Sequence, residues 1–330
     1  MAAFLAASGW GGAAPAPLAG DASFRFYYRL RRGGESVVVM DAPPPQEEVG
    51  AYVAVAAILR GFGLSAPSIL AEDGARGFLL IEDFGDDTYT RLLRRGADEP
   101  ALYKLAIDVL AALQLSAAAA GAPGLPPYDD ARLLAEAVLL VDWYFPAVLG
   151  NPPSAALREE YLALWRAALP LAYQPFRPTL VLRDFHIDNL MLLPDRPGVR
   201  RCGLLDFQDA VVGPPAYDLV SLLKDARRDV PEPLRRDMTE RYLAAFPALD
   251  RADFERSAAI LAAQRNCKIL GIFTRLWRRD GKPAYLRHIP RLWRMVEHDL
   301  RHPALRDIAR WLERHLPPAA RRMPDPRGRA

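Results

Sequence analysis

Three polar residues with an informative spacing lie near the middle of the chain. Asp184 follows an apolar run, Asn189 comes five residues later, and Asp206 ends a second apolar run. Kinases build phosphoryl-transfer sites from an Asp, an Asn five residues further on and a second Asp at the end of a short strand. In that arrangement Asp184 would accept the proton of the attacking hydroxyl, and Asn189 and Asp206 would hold Mg²⁺ against the phosphates of ATP.

Each of these residues also has a structural interpretation. Asp184 could end a strand and cap a turn, Asn189 could be a turn residue, and Asp206 could be a solvated strand end. The catalytic interpretation is favoured because an unpaired carboxylate is costly to place beside an apolar run. It is also favoured because the spacing of Asp184, Asn189 and Asp206 matches the kinase pattern. Arg183 is predicted to steady Asp184, with a surface charge as the alternative, and His186 is interpreted as a loop histidine.

The region before these residues predicts a small sheet with one helix. Residues 1–20 predict a short helix and a flexible lead-in, since they are rich in Ala, Gly and Pro. Aromatic, β-branched and apolar runs predict four strands, and an apolar periodicity predicts one helix. The strands are expected at residues 24–30, 36–40, 69–72 and 77–83, and the helix at residues 46–60. Residues 84–87 are rich in turn formers and are the expected hinge.

The rest of the chain is expected to be mostly helical. Helices are predicted at residues 101–120, 130–145, 158–173, 217–228, 232–246, 253–279, 290–299 and 304–316. The last dozen residues, rich in Pro and Arg, are predicted to be disordered. The predicted fold class is therefore α+β, a bilobal protein-kinase-like fold. Residues 1–84 would form a nucleotide-binding lobe and residues 85–330 a mainly helical catalytic and substrate-binding lobe.

The turn before the first strand is a candidate for contact with the ATP phosphates. Ser23 and Arg25 lie where many kinases have a glycine-rich loop, although no G-x-G-x-x-G occurs. Glu82 and Asp83, at the end of the strand before the expected hinge, complete the candidates on this side of the site together with Met40.

Met40 stands where kinases carry the strand lysine that contacts the α- and β-phosphates. No lysine occurs before Lys104. Arg25, Arg29 or the metal ions must therefore compensate, or the protein is not a kinase.

Candidates for the acceptor site follow the metal-binding motif. Asp209 lies three residues after Asp206, close enough in sequence to reach an acceptor hydroxyl. A long helix further on carries Arg265, Lys268 and Arg275, which are predicted to form a basic wall for an anionic acceptor. The alternative is a core helix with a solvated basic flank.

Composition narrows the classes of partner. The formal net charge is +3 over 330 residues, which does not favour nucleic acid as a partner. Two cysteines are too few for a disulfide framework and fit a reducing cytoplasm. Residues 1–20 lack the basic region of a signal peptide, and no apolar run is interpreted as approaching the ~20 residues that span a bilayer. A cytoplasmic monomer without membrane contact is therefore predicted.

Taken together, these stretches resemble the aminoglycoside phosphotransferase-like kinases. Within them, the chain is most similar to the anomeric N-acetylmuramate/N-acetylglucosamine kinases of bacterial cell-wall recycling. The matching stretches lie at residues 21–25, 38–47, 204–211, 213–214, 217–218, 224–225, 271–273 and 280–283. The most specific are Met-Asp-Ala-Pro-Pro-Pro from Met40 and Asp-Gly-Lys-Pro from Asp280. The family also carries Met in place of the strand lysine. It often has His two residues before the catalytic Asp, where this chain has Leu182.

The resemblance implies phosphorylation of the anomeric hydroxyl of an amino sugar, with ATP and Mg²⁺, to give the sugar 1-phosphate. Two alternatives stay open. One is the same chemistry on another small hydroxyl acceptor, such as an aminoglycoside. A polycationic aminoglycoside would require an acidic pocket, which the basic residues between 265 and 282 disfavour. The other is a pseudokinase that binds nucleotide without transfer.

Overall fold

The structure, a computed structural model, describes residues 1–18 and 25–325. The strands are β1 (Ala16–Pro17), β2 (Phe26–Arg32), β3 (Glu35–Asp41), β4 (Ile69–Asp73), β5 (Phe78–Glu82), β6 (Thr179–Val181), β7 (Leu190–Leu192), β8 (Cys202–Leu204) and β9 (Val211–Gly213). The α-helices are α1 (Ala2–Ala7), α2 (Val49–Gly61), α3 (Tyr89–Arg94), α4 (Glu99–Ala120), α5 (Asp130–Ala137), α6 (Phe145–Leu149), α7 (Ala155–Ala168), α8 (Pro170–Tyr173), α9 (Ala216–Leu223), α10 (Glu232–Ala245), α11 (Arg251–Arg278), α12 (Ile289–Asp299) and α13 (Arg306–His315).

The chain forms two compact units, each made of two segments. One contains Met1–Ala122 and Leu182–Ala210, and the other contains Pro123–Val181 and Val211–Ala330. This grouping differs from the predicted lobes 1–84 and 85–330, because the segment with the motif residues groups with the N-terminal sheet. The division into functional lobes stays a prediction.

The first unit is built on an antiparallel sheet with strand order β1-β2-β3-β5-β4. The predicted pair of strands with a glycine turn is present. Arg32 pairs with Glu35 across Gly33 and Gly34, whose φ angles are +55° and +91°. Positive φ at both central residues matches the right-handed twist of the strands, and glycine adopts it without steric cost.

The N-terminal segment packs on one face of this sheet. Val37 and Val39 of β3 point to the same face because side chains alternate along a strand. They form a buried cluster with Phe4, Leu5 and Trp10, together with residues of β2 and β5. The prediction of a flexible lead-in is therefore wrong for the described residues up to Leu18. The apolar side chains of α1 and Trp10 cover a sheet face that water would otherwise reach.

Helix α4 is the one described helix long and apolar enough to cross a membrane by length and composition. The expectation that no segment reaches that length is therefore wrong. The most apolar 18-residue window of α4 is 56% buried within the protein, as in the core helix of a soluble protein. Length and composition of one such helix are weak grounds for a membrane span.

The segment that follows Leu182 adds a short hairpin to the first unit. Strands β7 and β8 pair antiparallel, with Leu190 opposite Leu204. The hairpin packs on α4, and Leu204 N donates to Ser65 O at 2.8 Å. A Cβ atom on Gly203 would lie 2.7 Å from the Phe84 ring, so this close approach requires glycine. These contacts hold the two ends of the motif segment in place.

The second unit is organised around the 28-residue helix α11, which Asp250 caps by accepting from Asp253 N. Helices α5, α8, α9 and α12 pack against α11. The single helix predicted at residues 130–145 is instead divided into α5, a π-helical turn at Leu140–Tyr144 and α6. A Cβ atom on Gly271 of α11 would lie 2.3 Å from the backbone of Leu139. The backbone of α11 therefore packs directly against the interrupted helix.

Two further predictions in the second unit are corrected. Helix α9 ends at Leu223 and not near residue 228, since the side chain of Asp225 accepts from Arg227 N at 2.8 Å and turns the chain. The predicted C-terminal disorder is wrong up to Asp325. Arg321 is largely buried and pairs with Glu297 at 2.9 Å, and the hydroxyl of Tyr144 donates to Arg322 O at 2.7 Å. These polar contacts order a segment whose composition is unfavourable for packing.

Candidate active site

The segment from Asp184 to Asn189 forms a closed loop before β7. Asn189 N donates to His186 O at 2.9 Å, and its side-chain Nδ2 donates to Asp184 O at 3.0 Å. A short polar side chain that bonds back to the backbone is a common way to fix a turn. Asn189, a predicted metal ligand, is therefore fixed directly to Asp184, the predicted base, within one loop.

Asp206 meets this loop from the end of the hairpin. Asp206 Oδ2 lies 3.4 Å from Asn189 Nδ2, and Asp206 Oδ1 accepts from Gln208 Nε2 at 2.8 Å. The structure thus brings together all three residues of the predicted phosphoryl-transfer motif. Sequence analysis did not single out Gln208, although it lies two residues after Asp206 and was part of the matching stretch.

The donor set at this place suits a magnesium ion. Carboxylate and amide oxygens are hard ligands, and Mg²⁺ typically takes one or two protein ligands and completes its shell with phosphates and water. Among the described residues no group of three or more His, Cys, Asp and Glu could hold a metal ion by itself. Asn189 and Asp206 together fit an ion that arrives with a phosphate substrate.

Two residues of the site adopt a rare backbone conformation. Arg183 has φ +68° and Asp206 has φ +55°, and they are the only non-glycine residues with positive φ in the part of the chain that the structure describes. Such a conformation costs on the order of 1–3 kcal/mol and persists where surrounding structure enforces it. Both residues adjoin or belong to the predicted catalytic set, which is where strain of this kind concentrates.

Arg183 bridges the two motif segments. Its Nη1 donates to Asp209 O at 3.4 Å, so the guanidinium spans from the loop of Asp184 to the stretch after Asp206. The Asp209 side chain is exposed and accepts from Gln208 Nε2 at 3.4 Å. This contact favours a positioning role for Arg183 and leaves the carboxylate of Asp209 at the surface of its unit.

Helix α3 anchors the loop from the other side. Thr90 Oγ1 donates to the carboxylate of Asp188, and Thr90 N donates to Ile187 O at 3.3 Å. Sequence analysis did not identify Thr90, because residues so far apart in the chain carry no local signal of contact. His186, within this loop, is 5% exposed, and its interpretation as a loop histidine stays a prediction.

The predicted ATP-binding residues are placed as follows. Ser23 lies outside the described residues. Arg25 is 9% exposed, and its Nε lies 3.5 Å from Glu47 Oε2. Met40 is 1% exposed within β3 and pairs with Tyr27. Nucleotide contact by these residues stays a prediction.

Glu82 and Asp83 hold the predicted hinge. Glu82 accepts from Ser68 Oγ at 3.0 Å and pairs with Arg196. Asp83 pairs with Arg29, Nε to Oδ2 at 2.7 Å, and accepts from Gly85 N at 2.9 Å. Burial opposes ionisation of Asp83, but the hydrogen bonds from Arg29 and Gly85 outweigh it and lower the pKa of Asp83.

Arg29 is therefore not available to replace the strand lysine. Its Nη1 lies 3.0 Å from Asp86 Oδ1, and its Nη2 donates to Gly85 O at 2.8 Å. With Asp83 as a further partner, this guanidinium is engaged on all sides by groups of the hinge. Of the two arginines proposed as substitutes for the lysine, the geometry favours Arg25.

The basic residues predicted on the long helix all lie on α11 in the second unit. Lys268 is mostly buried and pairs with Glu136 at 2.9 Å. Arg265 is 4% exposed, and its Nη1 has no hydrogen-bond partner in the described part of the chain. The alternative of a solvated flank is wrong for these two residues. Burial is the main cause that lowers the pKa of Arg275, and the charge of Arg279 lowers it further.

Comparison with known proteins agrees with this geometry. Residues 15–254 match the model of the phosphotransferase enzyme family APH. The N-acetylmuramate/N-acetylglucosamine kinase of Caulobacter vibrioides is 40% identical, with 97% of each chain covered. The enzyme of the same name from Pseudomonas aeruginosa is 41% identical over 93% of this chain and 90% of its own.

A solved structure supports the fold. The choline/ethanolamine kinase family protein from Mesorhizobium loti superposes with a TM-score of 0.61, covering 97% of each chain at 17% identity. The predicted α+β protein-kinase-like fold and the predicted enzyme class are confirmed. Because the family model covers well over half of the chain, and a relative at 40% identity covers nearly all of it, this chain belongs to the phosphotransferase enzyme family.

Proposed function

We propose that the protein is an ATP- and Mg²⁺-dependent sugar kinase of peptidoglycan recycling. Its acceptor would be the anomeric hydroxyl of N-acetylmuramate, N-acetylglucosamine or both, and its product the sugar 1-phosphate. The observation that carries the proposal is the amide of Asn189, which contacts both Asp184 and Asp206. The relatives at 40% and 41% identity support the choice of amino sugar.

In this mechanism Asp184 accepts the proton of the C1 hydroxyl as that oxygen attacks the γ-phosphorus of ATP. The new O–P bond forms as the bond to the ADP oxygen breaks, and ADP leaves. Magnesium, when bound with the nucleotide, neutralises charge on the phosphate oxygens. Asn189 and Asp206 would hold it, and Arg183 keeps the two motif segments together.

The remaining site residues take the following proposed roles. Ser23, Arg25 and Met40 would line the nucleotide site, with Glu82 and Asp83 at its hinge. Asp209, Arg265, Lys268 and Arg275 would serve the acceptor. Of the basic residues, Arg265 is the strongest candidate for the lactyl carboxylate of N-acetylmuramate, because a buried guanidinium with an unpaired nitrogen gains most from a carboxylate partner.

Product identification tests the proposal. The protein is incubated with ATP, Mg²⁺ and each amino sugar, and phosphorus NMR is expected to show a phosphate coupled to the C1 proton. Asp184→Asn is expected to lose most turnover, whereas Asp195→Asn, an exposed aspartate, is expected to keep it. A phosphate at another carbon, or full turnover by Asp184→Asn, would contradict the mechanism.

The aminoglycoside alternative requires an acidic acceptor pocket. The second unit has a cavity of about 360 Å³ that Asp129 and Asp130 line. Asp129 caps α5 through Arg132 N, and Asp130 accepts from the hydroxyl of Tyr173 at 2.9 Å. We prefer the amino sugar because the relatives at 40% and 41% identity are named for it. Side-by-side rates with both amino sugars and an aminoglycoside decide between the two acceptors.

The pseudokinase alternative predicts nucleotide binding without transfer. The intact set of Asp184, Asn189 and Asp206 argues against it. Nucleotide binding that does not depend on Mg²⁺, with no product from any sugar, would support it.

We also propose that the enzyme acts in the cytoplasm, since ATP and recycled amino sugars are both available there. We propose in addition that it acts as a monomer.

A further inference from the structure

The register of the sheet places Arg25 next to the position that usually carries the lysine. Tyr27 of β2 pairs with Met40 of β3, and directly opposed residues share one face of a sheet. Arg25 directly precedes β2, and the alternation of the strand, extended by this one residue, puts it on the same face as Tyr27. A long side chain from this position can occupy space that a lysine from β3 would otherwise fill.

A carboxylate beside helix α2 holds this guanidinium. Arg25 Nε lies 3.5 Å from Glu47 Oε2, with 10% of the arginine side chain and 19% of the glutamate side chain exposed. Glu47 is two residues before the start of α2 at Val49. Protein kinases pair the strand lysine with a glutamate of a helix in the same lobe. Here the cation lies just before the neighbouring strand β2, and its carboxylate partner lies just before helix α2.

The same helix also contacts the metal-binding segment. Tyr52 is 2% exposed in the first turns of α2, and its ring centroid lies 4.7 Å from that of Phe207. Phe207 is fully buried and directly follows Asp206. Burial raises the pKa of Tyr52. The Tyr52 ring thus joins α2 to the residue that directly follows the proposed metal ligand Asp206.

Asp206 needs such support because its backbone is in the left-handed region, with φ +55°. A residue in this conformation relaxes unless its neighbours are fixed. The ring of Tyr52 fixes Phe207, and the position of Phe207 sets the direction of the Asp206 side chain. Glu47, just before α2, and Tyr52, in its first turns, therefore contact the cation and the residue that follows the proposed metal ligand.

We propose that Glu47 and Tyr52 are positioning residues that replace the strand-lysine system of other kinases. Glu47 orients Arg25 toward the nucleotide phosphates, and Tyr52 holds Phe207 so that Asp206 faces the metal ion. This inference rests on the proposed function for the roles of Arg25 and Asp206. It adds two residues that sequence analysis did not identify.

Glu47→Gln tests the first half, with the exposed neighbour Glu48→Gln as the matched control. Without its partner Glu47, the mostly buried Arg25 would lose its orientation toward the phosphates. We expect this loss to lower the affinity for ATP about tenfold. Glu47→Gln is expected to raise the KM for ATP about tenfold and to leave the KM for the sugar unchanged, whereas Glu48→Gln changes neither. Equal ATP constants in the two variants would overturn the role of Glu47.

Tyr52→Leu tests the second half, with Tyr52→Phe as the conservative variant. Tyr52→Leu is expected to raise the half-saturating Mg²⁺ concentration about tenfold, and Tyr52→Phe to stay within about twofold because the ring contact remains. Leu110→Ala, a fully buried change in α4, controls for lost stability. A lower melting temperature in Tyr52→Leu with an unchanged Mg²⁺ dependence would show a core residue only and overturn the proposal.

The affinity for MgATP, measured by calorimetry without any sugar, separates this inference from the proposed function. If no sugar is phosphorylated but Glu47→Gln and Tyr52→Leu weaken MgATP binding about tenfold, the positioning roles hold and the acceptor assignment fails. If Asp184→Asn abolishes turnover while Glu47→Gln and Tyr52→Leu bind MgATP like the wild type, the function holds and the positioning roles fail.

Discussion

Asn189 Nδ2 lies 3.4 Å from Asp206 Oδ2, although 17 residues separate them in the chain. The same nitrogen lies 3.0 Å from the backbone oxygen of Asp184. One side chain therefore contacts both the proposed base and a proposed metal ligand. Under the proposed function, the amide oxygen of Asn189 would be the atom that coordinates the metal ion.

Asn189→Leu is expected to lower kcat by about 10²–10³, since the change removes a preorganised contact at the reacting phosphate together with the bond to Asp184 O. The measurement is steady-state turnover at saturating ATP and sugar. Leucine is larger than asparagine and cannot form these hydrogen bonds, so the unfolding midpoint in urea is measured alongside kcat. A variant that unfolds easily but keeps its kcat would show that Asn189 acts in folding alone.

The pairs of Arg29 with Asp83 and Asp86 predict a dependence of stability on pH. Both carboxylates have a pKa below the ordinary value. Their contribution is full above the unfolded pKa of about 4 and is lost as the pH falls through the lower folded pKa. Unfolding curves between pH 7 and pH 3 should show wild-type stability falling over this range.

Arg29→Gln is expected to lower the free energy of unfolding at pH 7 by about 3–5 kcal/mol and to flatten this dependence, because the buried carboxylate of Asp83 loses its partner. The exposed pair of Arg95 with Asp87 serves as control. Arg95→Gln should cost less than about 1 kcal/mol. Equal losses in the two variants would contradict a special role for the buried pair.

Gly271→Ala is expected to destabilise the protein by about 3 kcal/mol or more, since the new Cβ would lie 2.3 Å from the backbone of Leu139. Gly50→Ala is the matched helical change, as no atom lies within 4 Å of its Cβ position. It should stabilise α2 by about 0.5–1 kcal/mol. Urea unfolding of both variants gives the comparison, and a neutral Gly271→Ala would refute the close approach of the two backbones.

The thiols of Cys202 and Cys267 are expected to be unreactive in the native protein. Both are buried, and burial raises the pKa of each to about 12. A disulfide reagent at pH 8 should therefore label neither thiol until urea is added, and then both. Ala75→Cys, on the exposed turn between β4 and β5, should add one rapidly reacting thiol. Fast labelling of the wild type would contradict the buried placement.

Local sequence signals predicted the elements well where packing agreed with them. Strands β2 to β5 of the N-terminal sheet and helices α2, α4, α10 and α12 lie close to their predicted residues. The predicted helix at residues 130–145 failed because tertiary packing against Gly271 interrupts it. The disorder predicted after residue 318 is wrong up to Asp325, because Arg321 forms ion pairs with Glu297 and Glu313 that order this part of the segment.

The sequence by itself determined the phosphoryl-transfer motif, since the spacing of Asp184, Asn189 and Asp206 is a property of the chain. It also showed that the strand lysine is missing. Only the tertiary structure decided what holds these groups in place. Two contacts join residues far apart in the chain, the pairing of Arg25 with Glu47 and the ring contact of Tyr52 with Phe207. The burial of Arg265 likewise follows from how the elements pack. Such contacts depend on how the elements pack, and no local pattern of residue types encodes them.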